Sequence, residues 1–295
     1  MHCLNLKITY QCTNHCSFCF ASHLTEERIS ADGLTIGLRD GYSKGCRELV
    51  LSGGEPTQYP ELMMHMLSLA SELGYEKYII QSNGSGFSDN PRLIKFISDF
   101  SSTREVCVSF SVHGATAEVH DEMCSKNGAF LKLIDGMRKV KQFTACSIYT
   151  NTVVSRINIR HLKDVAKLIL PFQPAVLQYS MMHLSSPSEL STGLLESAMA
   201  IREVAPSIPV EILRTEGIPY CLMHGYERCV GESYWPDKLD LYNKDNDYRS
   251  DFKQLDVGMR WKHSKCLKCI MNSLCMGIWK EHAQEFIDAG IRPIS

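Results

Sequence analysis

Glu48-Leu49-Val50-Leu51-Ser52-Gly53-Gly54-Glu55-Pro56 is the stretch on which the architecture turns. A short apolar run ends in a glycine pair, the pattern of a buried strand closed by a sharp turn. Working outward, similar apolar, β-branched or aromatic runs occur at Leu6 to Thr9, Tyr78 to Gln81, Val106 to Val112, Ser147 to Val153 and Val176 to Ser180. From Leu49 the runs step to Ile79, Val108, Ile148 and Leu177, by 30, 29, 40 and 29 residues. One strand–helix–strand unit is about 30 residues long. Between the runs lie helical patterns at Pro60 to Leu73, Asn90 to Phe100, Phe130 to Lys141 and Asn158 to Leu170. In the last, Ile159, Leu162, Val165, Ala166 and Ile169 keep the spacing of a one-sided helix. Such alternation implies an α/β fold with a parallel sheet, either closed into a barrel or left open. Six strand candidates by about residue 181 suit a partial barrel better than the usual eight-stranded form.

Composition narrows the function. The 295 residues carry 31 basic and 33 acidic side chains, a net charge of −2, which disfavours a nucleic-acid binder relying on bulk positive charge. The first residues, MHCLNLKITYQC, hold no apolar run long enough for a signal peptide. No stretch of 18 uninterrupted apolar residues occurs, so the expectation is a cytoplasmic protein without a membrane partner. Thirteen cysteines are anomalous in such a chain, and their odd number forbids complete internal pairing. In a reducing compartment, clustered cysteines point to metal binding or redox chemistry. Six of the thirteen fall into two tight groups, one toward each end.

The first group is Cys12-Thr13-Asn14-His15-Cys16-Ser17-Phe18-Cys19, a C-x3-C-x2-C loop directly after the first strand candidate. Three thiolates at this spacing suit three irons of a [4Fe–4S] cube and leave the fourth iron without a protein ligand. Zinc is the competing reading, although structural zinc generally takes four protein ligands. A ferredoxin-type site would require a fourth cysteine close by, and none follows before Cys46. With Phe18 as the aromatic residue, the loop resembles the C-x3-C-x-aromatic-C hallmark of radical S-adenosylmethionine (SAM) enzymes. The resemblance implies a partial (β/α)6 barrel, a [4Fe–4S] cluster on Cys12, Cys16 and Cys19, and SAM chelated by the open iron. It also implies reductive cleavage of SAM to a 5′-deoxyadenosyl radical, and a reducing partner such as a flavodoxin or ferredoxin.

Gly53-Gly54-Glu55 matches the family's GGE motif, which holds the methionine amino group of SAM. The glycines would let backbone approach a ligand closely, and Glu55 would supply an acceptor for an ammonium group. Other strand candidates end in polar residues on the same edge, where barrel active sites lie. By resemblance, Ser82, Asn83, Ser109, Ser111 and Asn151 are candidates for the SAM ribose, carboxylate and adenine, with turn and strand-end hydrogen bonds the plain alternative. Ser111-Val112-His113-Gly114 and His120-Asp121 resemble peptide-modifying and cofactor-building branches of the family. His113 is a candidate substrate contact or a structural histidine. Cys124, after a strand on the active edge, is a candidate hydrogen-atom donor.

Past about residue 213 the 30-residue step fades, and five cysteines and all three tryptophans follow. This divides the chain into a barrel, 1–213, and a small C-terminal module, 214–295. The second cysteine group, Cys266-x2-Cys269-x5-Cys275, resembles the centre of SPASM and twitch extensions, which carry auxiliary [4Fe–4S] clusters. A full SPASM domain shows another cysteine where this chain has Trp279. Five cysteines cannot fill two four-thiolate sites, so one auxiliary cluster is expected on Cys221, Cys266, Cys269 and Cys275. Cys229 is the alternative to Cys221, and zinc is the alternative metal. The expected function is a radical SAM enzyme that oxidises, cross-links or epimerises a ribosomally made peptide or protein. A small molecule or nucleotide is the alternative substrate, and a non-catalytic iron–sulfur carrier or zinc adaptor the alternative class. The barrel begins within about five residues of Met1, so a peptide substrate would need a separate recognition protein or direct docking.

Overall fold

A computed structural model describes residues 2–19, 21, 29–182, 188–242, 248–249, 252–292 and 294. In chain order the elements that build the barrel are β1 (His2–Thr9), α1 (Ala31–Ser43), β2 (Glu48–Gly53), α2 (Pro60–Leu73), β3 (Lys77–Ser82), α3 (Ser85–Asp89), α4 (Pro91–Ser101) and β4 (Glu105–Ser111). They continue through α5 (Ala117–Cys124), α6 (Ala129–Phe143), β5 (Ser147–Val154), α7 (Leu162–Ile169), β6 (Val176–Met181), α8 (Leu194–Val204) and β7 (Leu213–Glu216). After these come β8 (Lys238–Tyr242), β9 (Tyr248–Arg249), α9 (Phe252–Met259), β10 (Arg260–Trp261), β11 (Ile278–Trp279) and α10 (Ala283–Asp288).

One sheet runs in the order β7-β6-β5-β4-β3-β2-β1-β8-β9. Its first eight strands pair in parallel, and β9 joins the edge of β8 antiparallel. The six strands expected from the 30-residue step are all present, and β7 and β8 extend the sheet beyond them. The barrel's helix-facing core is built by period-2 alternation: Leu4, Leu6 and Ile8 of β1, and Leu49 and Leu51 of β2, are buried in it. The opposite set, including Asn5, Lys7 and Ser52, faces the barrel interior, where the Ser52 hydroxyl donates to the Asn5 side-chain carbonyl.

The expected boundary at 213/214 falls at the start of β7, so the C-terminal segment begins inside the barrel sheet. The polar stretch from Pro236 to Asp256, expected in the small module, supplies β8, which lies beside β1 with His2 opposite Lys238 and Leu6 opposite Tyr242. Residues 243–247 and 250–251 of that stretch lie outside the described residues. Charged residues disguise β8: Asp240 is buried and accepts a hydrogen bond from His2 Nε2 at 2.8 Å.

Tyr242 packs against α1. A Cβ on Gly37 of α1 would lie 2.6 Å from the Tyr242 ring, and one on Gly41 would lie 2.7 Å from Leu4. Gly37 and Gly41 are two of the helix's three glycines, and at both the structure beneath leaves no room for a side chain despite the poor helix propensity of glycine. Ser30 caps it, accepting from the Gly33 N–H at 3.0 Å.

Candidate cofactor site on the barrel rim

The loop after β1 carries Cys12, Cys16 and Cys19 across the C-terminal rim of the sheet. All three are free thiols, half-buried, and share the wall of one cavity of about 310 Å³. Gly53, Gly54, Glu55, Ser82, Asn83, Ser111, His113 and Cys124 line the same cavity. Ser109 and Asn151 are not part of that wall. Asn151 is engaged elsewhere, its side-chain oxygen accepting from Ser180 Oγ at 2.7 Å.

The cysteine loop is held from two sides. On one side, the Gly54 N–H donates to the Thr9 carbonyl at 2.6 Å and the Glu55 N–H to the Gln11 carbonyl at 2.8 Å. Gly53 adopts φ +123°, and a Cβ there would sit 2.0 Å from the Thr9 oxygen; one on Gly54 would sit 2.1 Å from the Gln11 oxygen. The backbone that the glycine pair approaches is therefore the cysteine loop itself. On the other side, the end of α5 accepts two loop amides, His15 N–H onto Cys124 at 2.9 Å and Ser17 N–H onto Met123 at 3.1 Å.

Glu55 is 1% exposed, and its carboxylate caps a short turn. Oε1 accepts from Thr57 N–H at 3.1 Å, Thr57 Oγ1 at 2.5 Å and Ser82 Oγ at 2.8 Å, and Oε2 accepts from Asn83 N–H at 2.6 Å. Burial raises its pKa while these four donors pull it back down. One lone-pair direction of Oε2 remains for a ligand. Ser82 and Asn83 act first on the protein: Ser82 also accepts from Gly84 N–H, and the Asn83 amide donates to Thr13 Oγ1 at 2.9 Å and Cys12 Sγ at 3.7 Å.

The thiols fit a thiolate-bound metal group. Burial pushes Cys12 up to about 12 and raises Cys19, so without a cation these groups stay protonated. Cys16 is raised as well, first by its hydrogen bond with Cys124 and then by burial. The Asn14 N–H, 3.4 Å from Cys12 Sγ, is the kind of donor that an anionic sulfur accepts. Sequence reasoning overlooked Lys7, which shares the barrel-facing side of β1. Burial lowers its pKa, and the Cys19 thiol opposes that shift. The alternation Leu4, Leu6, Ile8 against Asn5, Lys7, Thr9 was the available signal.

Cys221, Cys266, Cys269 and Cys275 line a second, smaller cavity beside the β10–β11 hairpin, together with Tyr220, Trp261 and Phe286. Burial and the three other thiols push Cys221 up to about 12. The Gly277 N–H points at Cys275 Sγ from 3.3 Å. Cys229 is not on this wall; it is fully buried, with its sulfur 4.0 Å from the Val210 carbonyl.

Fold and rim together define the class, a parallel α/β barrel with a cysteine loop at the C-terminal ends of its strands. Residues 6–169 match the Radical SAM superfamily model, and the chain belongs to that superfamily. That superfamily uses a [4Fe–4S] cluster and SAM. Its sequence is 26% identical over 162 residues to a probable GTP 3′,8-cyclase of Sulfolobus acidocaldarius, covering 53% of this chain and 48% of that protein. It is 26% identical over 168 residues to an AdoMet-dependent heme synthase of Oleidesulfovibrio alaskensis, covering 55% and 40%. The matched region thus spans less than half of either relative. In fold, the chain is similar to Streptococcus suis SuiB bound to precursor peptide SuiA, with a TM-score of 0.67 at 15% identity over 94% of this chain and 71% of that one. Among the described residues, no helix is long and apolar enough to cross a membrane.

Proposed function

We propose that this chain binds SAM at the rim cavity and uses it to oxidise, cross-link or epimerise a peptide or protein. The convergence of three free thiols, the Gly53-Gly54 turn and Glu55 on one cavity carries the reading. Cys12, Cys16 and Cys19 would hold the cluster, and Glu55 Oε2 would accept a hydrogen bond from the SAM ammonium. Bound there, cluster and SAM supply one-electron cleavage of the sulfonium and a radical able to abstract hydrogen. Beyond that cavity's wall, Gln178 Nε2 donates to Glu216 at 3.0 Å, and the single Ser180 hydroxyl proton is shared between Asn151 Oδ1 at 2.7 Å and Glu216 Oε2 at 2.8 Å.

Likeness to the fold of a peptide-bound enzyme supports the peptide reading. The two curated relatives, named for GTP and haem chemistry, support small-molecule oxidation as the second. At the C-terminal site, Cys221, Cys266, Cys269 and Cys275 would supply four thiolates, enough to close every iron of a cube. The chemistry such a closed cluster supplies is electron transfer rather than substrate ligation.

Anaerobic reconstitution with iron and sulfide tests the assignment. About eight irons per chain are expected, falling to about four when Cys12, Cys16 and Cys19 are all replaced by alanine. Reduced wild type should convert SAM to 5′-deoxyadenosine, and the triple variant should not. Retained cleavage in that variant would overturn the proposal.

A further inference from the structure

His2, Cys46 and Asp240 meet where β1 begins, at the end of the sheet opposite the cysteine loop. The eight residues of β1, rising about 3.3 Å each, put roughly 23 Å between this end and the rim. Backbone geometry brings the three together. The His2 carbonyl accepts from the Arg47 N–H at 3.0 Å, and a left-handed turn at Gly45, φ +98°, leads Cys46 in beside β1. His2 stands opposite Lys238 and Leu4 opposite Asp240, so the His2 and Asp240 side chains lie diagonally on one face of the sheet. Asp240 Oδ2 is 2.8 Å from His2 Nε2 and 3.8 Å from Cys46 Sγ. Among the described residues this is the one set of three His, Cys or carboxylate ligand atoms lying within 4.8 Å of one another.

We propose that these side chains form a mononuclear zinc site that ties β8 to β1 and to the entry of β2. Tetrahedral zinc, bonded at about 2.0–2.1 Å to nitrogen or oxygen and about 2.3 Å to sulfur, holds N and O ligands about 3.3 Å apart and S and O ligands about 3.6 Å apart. To close on the ion, Nε2 and Oδ2 part by about 0.5 Å and Sγ approaches Oδ2 by about 0.2 Å. Imidazole, thiolate and carboxylate together suit zinc, whereas calcium and magnesium take oxygen ligands. The charges also balance. Binding displaces the thiol proton, and one thiolate with one carboxylate cancels the two charges of the ion. A neutral group then sits where Cys46 and Asp240 are 0% and 2% exposed. His2 is half-buried, and its open side leaves the fourth position to water. Asp240 lies 238 positions from His2 and 194 from Cys46, so the ion cross-links the start of the chain to its late strand.

The probe is zinc chloride, added to the full chain after anaerobic reconstitution with iron and sulfide, so that the two cysteine groups are loaded first, and followed by a chelator wash. Metal analysis should find about one zinc per chain, and X-ray absorption at the zinc edge should show a single sulfur at about 2.3 Å among nitrogen and oxygen neighbours. Cys46→Ala and Asp240→Asn should lose that zinc and keep their iron. Cys146→Ala, at a half-buried thiol outside the set, should keep both. Added zinc should raise the melting temperature of wild type and not of the first two variants, because an ion that binds only the folded chain stabilises it. His2→Gln changes the most accessible ligand and supplies a measurement even if Cys46→Ala fails to fold. It should weaken zinc retention by about tenfold or more, since even an outer partner of a ligand is worth that much. Wild type that retains no zinc, zinc ringed by three or four sulfurs, or equal zinc in wild type and Cys46→Ala would each overturn the site. None of these results bears on SAM cleavage, whose thiols lie at the other end of the sheet.

Discussion

Replacing Gly54 with alanine should separate the cysteine loop from the barrel without unfolding the chain. The new Cβ would meet the Gln11 oxygen at 2.1 Å, with the Gln11 and Tyr10 carbonyl carbons at 2.6 and 2.7 Å, and every one of these atoms is backbone. Ordinary contact begins near 3.4 Å, so the loop must retreat by about 1.3 Å. Overpacking of this kind costs about 1–3 kcal/mol. The retreat also stretches the bonds from Gly54 N–H to Thr9 and from Glu55 N–H to Gln11, each worth about 1 kcal/mol. A loss of about 3–5 kcal/mol is within reach of a domain whose total stability is on the order of 5–15 kcal/mol. The displacement, however, exceeds the roughly 0.5 Å within which a site must be held. Urea denaturation of the apo-protein gives the first number, and iron per chain after reconstitution gives the second, expected to fall by about four. Gly258→Ala is the control: at this exposed position of α9 its Cβ would meet nothing, and it should raise stability by about 0.5–1 kcal/mol. Wild-type stability and full iron in Gly54→Ala would refute the reasoning.

Glu55→Gln should lower stability by about 2 kcal/mol in urea melts, since an NH₂ group must replace one acceptor and leaves a buried donor such as the Asn83 N–H unmatched; no change would show that the carboxylate is not the acceptor described. Cys221→Ser should lower reconstituted iron, whereas Cys229→Ser should leave it at the wild-type count, and the reverse pattern would exchange the two assignments. His120 is held neutral by burial, with its pKa down at about 4 against an ordinary 6.5. Between those values the unfolded chain binds a proton that the folded chain refuses, so apo-protein stability present above pH 6.5 falls on acidification, by about 3 kcal/mol at pH 4. His120→Gln should flatten that slope, and an equal slope in both proteins would contradict it.

Much of the barrel was legible because its signals are local and repeat. Each buried strand is a short apolar run, and each run is followed by a one-sided helix. The thiol spacing of the rim loop was legible for the same reason, as was the glycine pair 34 residues after Cys19. What those glycines do was not. Their close neighbours are Thr9 and Gln11, more than 40 positions back in the chain, and only the folded register brings them together. Ser82 and Asn83 carried the correct polarity, but their hydrogen bonds go to Glu55, Thr13 and Cys12. Cys221 could be weighed above Cys229 only by its turn; the fold separates them by giving one a thiol-lined cavity and the other an apolar bed. Strand β8 escaped notice because five residues with two charges show too little periodicity to stand out from a polar loop.

That strand also constrains how the molecule is made. His2 finds its partner at Lys238, so β1 has one unpaired edge until β8, more than 200 residues later, has left the ribosome. At about 5–20 residues per second that interval is roughly 10–50 s, during which a strand of Leu4, Leu6 and Ile8 offers open backbone groups to any neighbour. Synthesis of this protein therefore passes through a sticky nascent stage that ends only when β8 arrives, and a truncation before residue 238 should aggregate rather than accumulate as a smaller barrel.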